Sequence, residues 1–279
     1  MLMRFSIITP SFRNSKWLKL CIPSVADQGV ELEHIVQDSC SDDGTQHWLP
    51  LDRRVKAFIE KDAGMYDAVN RGLRRATGDI CAYLNCDEQY LPGALSAVHD
   101  FFNRNPSTDV VFADVVINDP QGRYLCHRKA VLPGKYHTWI SANLAILTCA
   151  TFFRRKILDE NGMFFNPKLK DVGDGEWVMR LIDQRVSMGI LRRFTSTFTE
   201  TGDNMNTRPN ALREKSELIA SAPEWARRCR SLIIGHYRLR KLLAGAYRQS
   251  PFRYEIYAES SPLVRVPFEA LHPTTRWRR

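Results

Sequence analysis

Acidic side chains recur in the first third of the chain at one kind of place, directly after a β-like run. Asp38 follows His34-Ile35-Val36, Asp62 follows Val55 to Ile59, and Asp87 with Glu88 follows Ile80 to Leu84. Thr9-Pro10-Ser11 stands in the same position after Phe5-Ser6-Ile7-Ile8. In an open parallel sheet, ligands bind beyond the carboxyl ends of the strands, where loops and helix N-termini converge. Carboxylates gathered there can hold a hard divalent cation or accept from a nucleobase N–H. A single strand-end Asp also serves turn formation alone, but the repetition at successive strand ends points to a ligand site.

The elements that must position these residues are legible from periodicity. A buried strand over Phe5 to Thr9 is ended by Pro10-Ser11. A helix follows from about Ser15 to Asp27, carrying Trp17, Leu18, Cys21, Ile22 and Val25 on one face, with Pro23 an unfavourable guest. Further helices are expected from about Met65 to Ala76 and from Pro92 to about Phe102. Strand and helix alternating at this spacing imply right-handed βαβ crossovers and a mainly parallel sheet, an α/β fold. After Asp109 the pattern changes. Val110 to Ile117 and Tyr124 to Arg128 flank a turn-rich segment that reads as a hairpin. A strand-like Thr148 to Phe153 and a helix from about Gly175 to Asp183 come next. Ala211 to about Tyr247 is helical and basic, broken near Pro223, and the last thirty residues show no clear period.

Four segments resemble the family-2 glycosyltransferases of the GT-A fold, mostly inverting enzymes that use nucleotide-sugar donors. Ser6-Ile7-Ile8-Thr9-Pro10-Ser11-Phe12 is similar to the opening strand and turn. Asp38-Ser39-Cys40-Ser41-Asp42-Asp43-Gly44-Thr45 resembles the D-G-x-S-x-D-G-T loop, with Ser39 replacing the first Gly. The run from Glu60 to Gly72 resembles E-x-D-x-G-x-Y-D-A-x-N-x-G. Thr77 to Glu88 resembles the strand ending in a metal-binding D-x-D, with Asn85 at the first Asp. With a later segment around Asp174, the match covers about residues 3 to 203.

The resemblance implies a role for each residue. Thr9, Pro10 and Ser11 would line the nucleobase and ribose pocket, Asp38 would bond the base, and Asp62 would lie near base or ribose. Tyr66, Asp67, Asn70 and Arg71 would border the diphosphate and sugar; positions 67 and 70, three apart, are expected to share a helical face. Asn85 and Cys86 would flank the donor, and Asp87 would ligate Mn2+ or Mg2+, which offsets charge on the leaving diphosphate. Gly173-Asp174-Gly175-Glu176-Trp177-Val178-Met179-Arg180 resembles D-x-E-x-x-x-R, making Asp174 the base that takes the acceptor hydroxyl's proton. As an N-cap residue, Asp174 would be both oriented and lowered in pKa by the helix terminus. The histidine that many relatives carry after the last strand has no counterpart in Thr199-Glu200-Thr201-Gly202-Asp203-Asn204.

Composition bounds the alternatives. The 279 residues allow one large α/β unit or about two domains. Hydrophobic residues at 44% and charged residues at 25% exclude extended disorder and a disulfide-stapled miniprotein. Seven cysteines without a CxxC pair suggest reduced thiols, and the scattered histidines do not suggest a metal cluster. No P-loop or nucleophile-elbow sequence is present. The net charge of +9 lies wholly in residues 204–279, which hold 15 basic and 6 acidic side chains against 25 and 25 in residues 1–203. The expected organisation is a catalytic body over 1–203, with a donor half to about 105 and an acceptor half beyond it, and a basic helical extension over 204–279. No signal peptide or membrane span is visible in the chain, which suggests a cytoplasmic protein.

The expected partners are a nucleotide-sugar donor and a glycan or lipid-linked acceptor. The basic extension suits an anionic membrane surface, peripheral on the inner face, or a helix packed on the body. A non-catalytic sugar-nucleotide-binding or scaffolding protein on the same fold is the alternative that Asn85 keeps open. Nucleic-acid binding by the extension is not expected beside a charge-balanced body.

Overall fold

The computed structural model describes residues 3–142, 144, 146–202 and 209–277. The first half runs β1 (Phe5–Ser11), α1 (Ser15–Ala26), β2 (Leu32–Asp38), α2 (Thr45–Trp48), β3 (Lys56–Ile59), α3 (Met65–Arg75), β4 (Ile80–Tyr83), β5 (Glu88–Tyr90) and α4 (Ala94–Arg104). The second half runs β6 (Val110–Asn118), β7 (Tyr124–Arg128), α5 (Lys135–Ser141), β8 (Thr151–Arg154), α6 (Lys156–Asp159), α7 (Gly173–Asp183) and β9 (Met188–Thr199). Then come α8 (Pro209–Ala220), α9 (Glu224–Arg228), α10 (Arg230–Leu243), β10 (Phe252–Ala258) and β11 (Ser261–Ala270).

One sheet organises the body in the order β3-β2-β1-β4-β8-β6-β9-β5, with β7 paired to β6. Its first four strands are parallel, as the alternating pattern implies. Beyond them it is mixed: β8 runs antiparallel to both β4 and β6, β9 runs parallel to β6, and β5 runs antiparallel to β9. Register brings Ser11 opposite Asp38 and Asp38 opposite Ile59, so the chain leaves β1, β2 and β3 along one edge. β1 continues through Pro10 to Ser11 rather than stopping at Thr9. Pro10 is tolerated there because the β1 and β2 residues at this end still pair through their neighbours.

The sheet is buried on both faces. Ile8, Val69, Phe153, Trp177 and Leu181 pack between it and α3 with α7. Phe5, Ile7, Cys21, Val25, Val98 and Phe102 pack on the other side against α1 and α4. Neighbouring residues of β1 thus feed opposite layers, the period-2 rule of a strand buried on both faces. Five of the seven cysteines are buried.

The chain after residue 209 is packed along the body. Ile140 of α5 meets Ala222, Ala226, Ile233 and Ile234, and Tyr237 of α10 packs with Val131. The last thirty residues, where the sequence shows no clear period, do not continue the expected helical extension but form an antiparallel hairpin of β10 and β11. Tyr254 and Ile256 bury against Leu91 and Val116, while Arg253 and Glu255 face outward. The alternation is present in β10, but Pro262 and Pro267 interrupt β11 and hide its strand character. Arg265 ties the hairpin to α1 through two bonds to Asp27, at 2.6 and 2.7 Å. Among the described residues, no helix is long and apolar enough to cross a membrane.

Candidate active site

The loop after β2 is built on Asp38. Its carboxylate is buried and accepts from Ser11 Oγ at 2.8 Å, Ser41 Oγ at 2.7 Å and the Ser41 amide at 2.8 Å. The side chain expected to meet a base is therefore turned inward, where it orders the loop. Thr9 is a second departure: it is buried against α1, with its hydroxyl 2.8 Å from His34 Nε2 and 3.8 Å from Cys21 Sγ. Cys86 is a third. It lies in the apolar cluster of Leu18, Ile22, Val36 and Leu49, with its thiol directed at Pro10 O over 3.2 Å. Pro10 is buried as well.

The loop before α3 is tightly bonded. Asp62 Oδ1 accepts the Gly64 amide at 2.9 Å, and burial raises this carboxyl above its ordinary pKa. Gly64 has φ +131°, a conformation that L side chains rarely adopt, and Lys170 lies across it, bonding Ala63 O. Asp67 accepts the Ala63 amide at 3.0 Å and pairs with Arg71 at 3.0 Å. Arg71 and Arg75 also reach Glu60. Asn70, expected on the same face as Asp67, is instead buried with both amide atoms engaged: Nδ2 donates to Phe165 O at 2.7 Å and Oδ1 accepts Phe165 N at 2.9 Å. It fastens the second half to α3 from within the buried row of the helix.

Asp87 sits half-buried in the turn between β4 and β5, and burial followed by the like charge of Glu200 raises its pKa. Glu88 is buried behind it, accepts the Asn85 amide at 2.7 Å, and is also raised, by burial and then by Asp87. No group of three His, Cys, Asp or Glu among the described residues is arranged to hold a metal. The donor set nevertheless fits Mg2+ or Mn2+, because such ions are commonly held by one or two carboxylates with substrate phosphates completing the shell. Asp203 and Asn204, part of the stretch where a histidine is lacking, lie outside the described residues.

Asp174 lies in the first turn of α7, where Val172 rather than Asp174 takes the cap position. Its Oδ1 accepts the Gly175 amide at 2.8 Å, and its own amide donates to Tyr66 Oη at 3.1 Å. Burial outweighs those bonds and the Lys215 charge, and its pKa is pushed up to about 6 instead of down. Gly173 is required by this contact: a Cβ there would stand 2.6 Å from the Tyr66 ring. Tyr66 stacks on Phe165 at 5.6 Å, and Phe165 stacks on Trp177 at 5.0 Å, so one aromatic column joins α3 to α7. Tyr83, at the end of β4, is raised well above its ordinary pKa by burial first, then by the charge of Asp174, with Glu88 contributing less. The arrangement brings a raised, desolvated carboxyl of the second half near the strand ends of the first.

The family model for glycosyl transferase family 2 matches residues 6–162, more than half of the chain. The chain belongs to this family. The matched span covers Thr9 through Asp87, whereas Asp174 falls beyond it. The chain is similar to a PGL/p-HBAD biosynthesis glycosyltransferase of Mycobacterium tuberculosis, 32% identical over 127 residues, which are 43% of this chain and 50% of that protein. It is also similar to the putative teichuronic acid biosynthesis glycosyltransferase TuaG of Bacillus subtilis, 32% identical over 102 residues, 34% of this chain and 40% of that one. A Campylobacter jejuni GalNAc(5)-diNAcBac-PP-undecaprenol beta-1,3-glucosyltransferase is 33% identical over 102 residues, 34% of this chain and 33% of that one. The chain thus spans about half the length of the curated relatives it matches first. Staphylococcus aureus TarS, residues 1–349 in complex with UDP-GlcNAc, shares the fold with a TM-score of 0.61 at 18% identity, over 86% of this chain and 73% of that one.

Three residues of this family-2 site were not legible in the sequence. Lys170, Glu214 and Tyr83 reach it from a loop, from α8 and from a strand end. Tyr83 belongs to an apolar run, and Glu214 lies far from Asp174 in the chain. Neither carries a local motif.

Proposed function

We propose that the chain transfers a sugar from a nucleotide-sugar donor, a UDP- or other NDP-sugar, to a hydroxyl of a glycan or lipid-linked acceptor with inversion. Cell-surface polysaccharide or glycoconjugate synthesis is the setting that the similar proteins suggest. The observation that carries the reading is Asp174, a desolvated carboxyl with a pKa pushed up to about 6 at the strand ends of a family-2 fold. A base poised near neutrality is ionised when the acceptor arrives and basic enough to take its proton. In-line attack from Asp174's side then expels the diphosphate on the opposite side. The donor half would receive the nucleotide over the loops after β1, β2 and β3, and Arg71 and Lys170 add positive charge near the α3 N-terminus. Asp87 would hold Mn2+ or Mg2+, with Glu200 nearby; the ion supplies neutralisation of the leaving diphosphate when bound.

A thermal-shift panel tests donor use. UDP-glucose or UDP-GlcNAc with Mn2+ is expected to raise the melting temperature by ~5–10 °C at a hundredfold excess over Kd. That excess stabilises by ~2.7 kcal/mol, and each kcal/mol moves the midpoint by ~2–4 °C for a chain this large. No shift with any nucleoside diphosphate sugar would sink the reading.

The acceptor side favours a lipid surface. Leu232, Leu239 and Leu243 of α10 are 74%, 52% and 78% exposed, on the helix side away from buried Tyr237. Arg227, Arg230, Arg238 and Arg248 lie before, within and after α10, Arg240 and Lys241 stack on the Tyr237 and Tyr247 rings, and no acidic residue lies between Trp225 and Tyr254. Each such cation contributes ~1 kcal/mol near an anionic leaflet. These features support a peripheral position at the cytoplasmic face of a membrane. Phosphatidylglycerol vesicles are expected to float the protein at low salt, and a L232S/L239S/L243S variant is expected to lose most of that binding. Substitution is the right probe because cutting the chain near Asn210 would also remove Glu214 and the hairpin. Equal flotation of the triple variant would assign α10 to packing alone.

A further inference from the structure

The helix that carries Asp174 starts without a cap of its own. Val172, at the cap position, offers no side-chain acceptor. The amides of Asp174 and Gly175 are met by Tyr66 Oη and Asp174 Oδ1, while the three amides that lead into the helix find their partner in α8. Glu214 Oε2 accepts the amides of Asp171 at 3.0 Å and Val172 at 3.2 Å, and Oε1 accepts the amide of Lys170 at 3.0 Å. Asn210, one turn earlier on α8, donates from Nδ2 to Glu214 Oε1 at 2.9 Å and to Asp171 Oδ2 at 2.6 Å. Glu214 is 4% exposed, a charged side chain that has given up solvent for these bonds.

We propose that Glu214 is a positioning residue, whose carboxylate clamps the backbone of residues 170–172 and so fixes the start of α7, and Asp174 with it, against Tyr66. The inference rests on the reading of Asp174 as base. Three converging N–H donors stabilise an ionised acceptor at a helix N-terminus, where negative charge is also favoured by the helix dipole. Burial alone would raise the Glu214 pKa, but the bonds from Asp171, Lys170, Asn210 and Val172 prevail and leave it lowered. Asp174 is consequently held from two sides, by Tyr66 of α3 at its amide and by Glu214 of α8 at the three residues that lead into its helix. The clamp also explains why a segment beyond residue 209 belongs to the working site: α8 delivers Glu214 and, beside it, Lys215, whose charge acts on Asp174. Residues 170–172 also carry Lys170, which reaches back to Ala63 in front of α3. One clamp therefore sets both the base and the strap over the donor-half loop.

Glu214→Gln tests this in the full chain. It keeps the shape but places an NH2 group, a donor, against backbone donors. The groups that act on or feel Asp174 are Tyr66 of α3, Tyr83 of β4 and Lys215 of α8, with Asp171 acting on Tyr66, and none of them is altered. Hydrogen exchange at the amides of Lys170, Asp171 and Val172 is expected to quicken at least ~10-fold, with the amides of α3 unchanged. A 13C carboxyl titration, assigned with Asp174→Asn, is expected to show the Asp174 pKa falling by at least ~1 unit from about 6 as the first turn of α7 opens to solvent. A merely structural loss would lower the melting temperature without moving that titration. Asn210→Ala removes one donor and leaves the charge in place; smaller changes in the same direction are expected, and this variant carries the test if Glu214→Gln does not fold. Unchanged exchange and an unchanged Asp174 titration in a folded variant would overturn the clamp. Asp174→Asn retaining its turnover would overturn the base instead, while leaving the exchange result intact.

Discussion

Asp174→Asn is expected to lower turnover at least ~100-fold while nucleotide affinity stays nearly unchanged. Asparagine preserves the shape, and its amide oxygen can still accept from Gly175, but it cannot take a proton from an acceptor hydroxyl. The loss should therefore appear in kcat rather than in binding. Burial disfavours the ionised carboxyl, so the variant should melt no lower than the parent at pH 8, where the parent must keep the charge. The sign of the pH dependence follows from the same environment. A base with a pKa pushed up to about 6 is half protonated there, so turnover should fall as the pH drops through about 6. An ordinary carboxylate would remain active to about pH 4. Should Asp174→Asn keep most of its turnover, Asp171 or Glu176 becomes the candidate. Neither is as well placed: Asp171 is engaged by Asn210 at 2.6 Å, and Glu176 is paired with Arg180 at 2.7 Å.

Motifs nominate the candidate site, but strand and helix periodicity decide which of their side chains can reach a ligand. Phe5, Ile7 and Thr9 alternate onto the α1 side of β1, so Thr9 follows the two core residues inward to His34 and Cys21. The motif fixes its position in the chain and says nothing about that face. On α3 the spacing from 67 to 70 is ambiguous, because residues three apart lie 60° apart on the helix. Asp67 goes with Arg71, one turn on, whereas Asn70 goes with the buried row of Tyr66, Val69 and Leu73. Cys86 separates Asn85 from Asp87 and takes the opposite side of the chain, into the core. The first four strands, the hairpin of β6 and β7 and the helix start near Asp174 were legible because each is announced by local pattern. Glu214 was not, because its function depends on where α8 returns in space, and a lone Glu on a helix has no sequence signature for what it will meet.

Asp87→Ala is expected to abolish transfer while the protein still folds. The side chain lies in the turn between β4 and β5, and it is raised in pKa by burial and by Glu200, so its charge is a cost to the folded state that truncation relieves. Strand-end loop sites of this kind tolerate truncation. What the variant lacks is a hard oxygen ligand. Asn85 supplies only a neutral carbonyl where a second carboxylate often stands, so Asp87 carries most of the negative charge that this turn offers to a divalent cation. Mn2+ binding in the presence of UDP, followed by electron paramagnetic resonance, should weaken at least ~10-fold in Asp87→Ala. The melting temperature in the absence of metal should match that of the parent or exceed it. Transfer that continues undiminished in excess chelator would exclude the cation from the reaction. In that case Arg71 and Lys170, beside the α3 N-terminus, would be the groups left to offset the charge of the departing diphosphate, and Asp87 would revert to a turn residue.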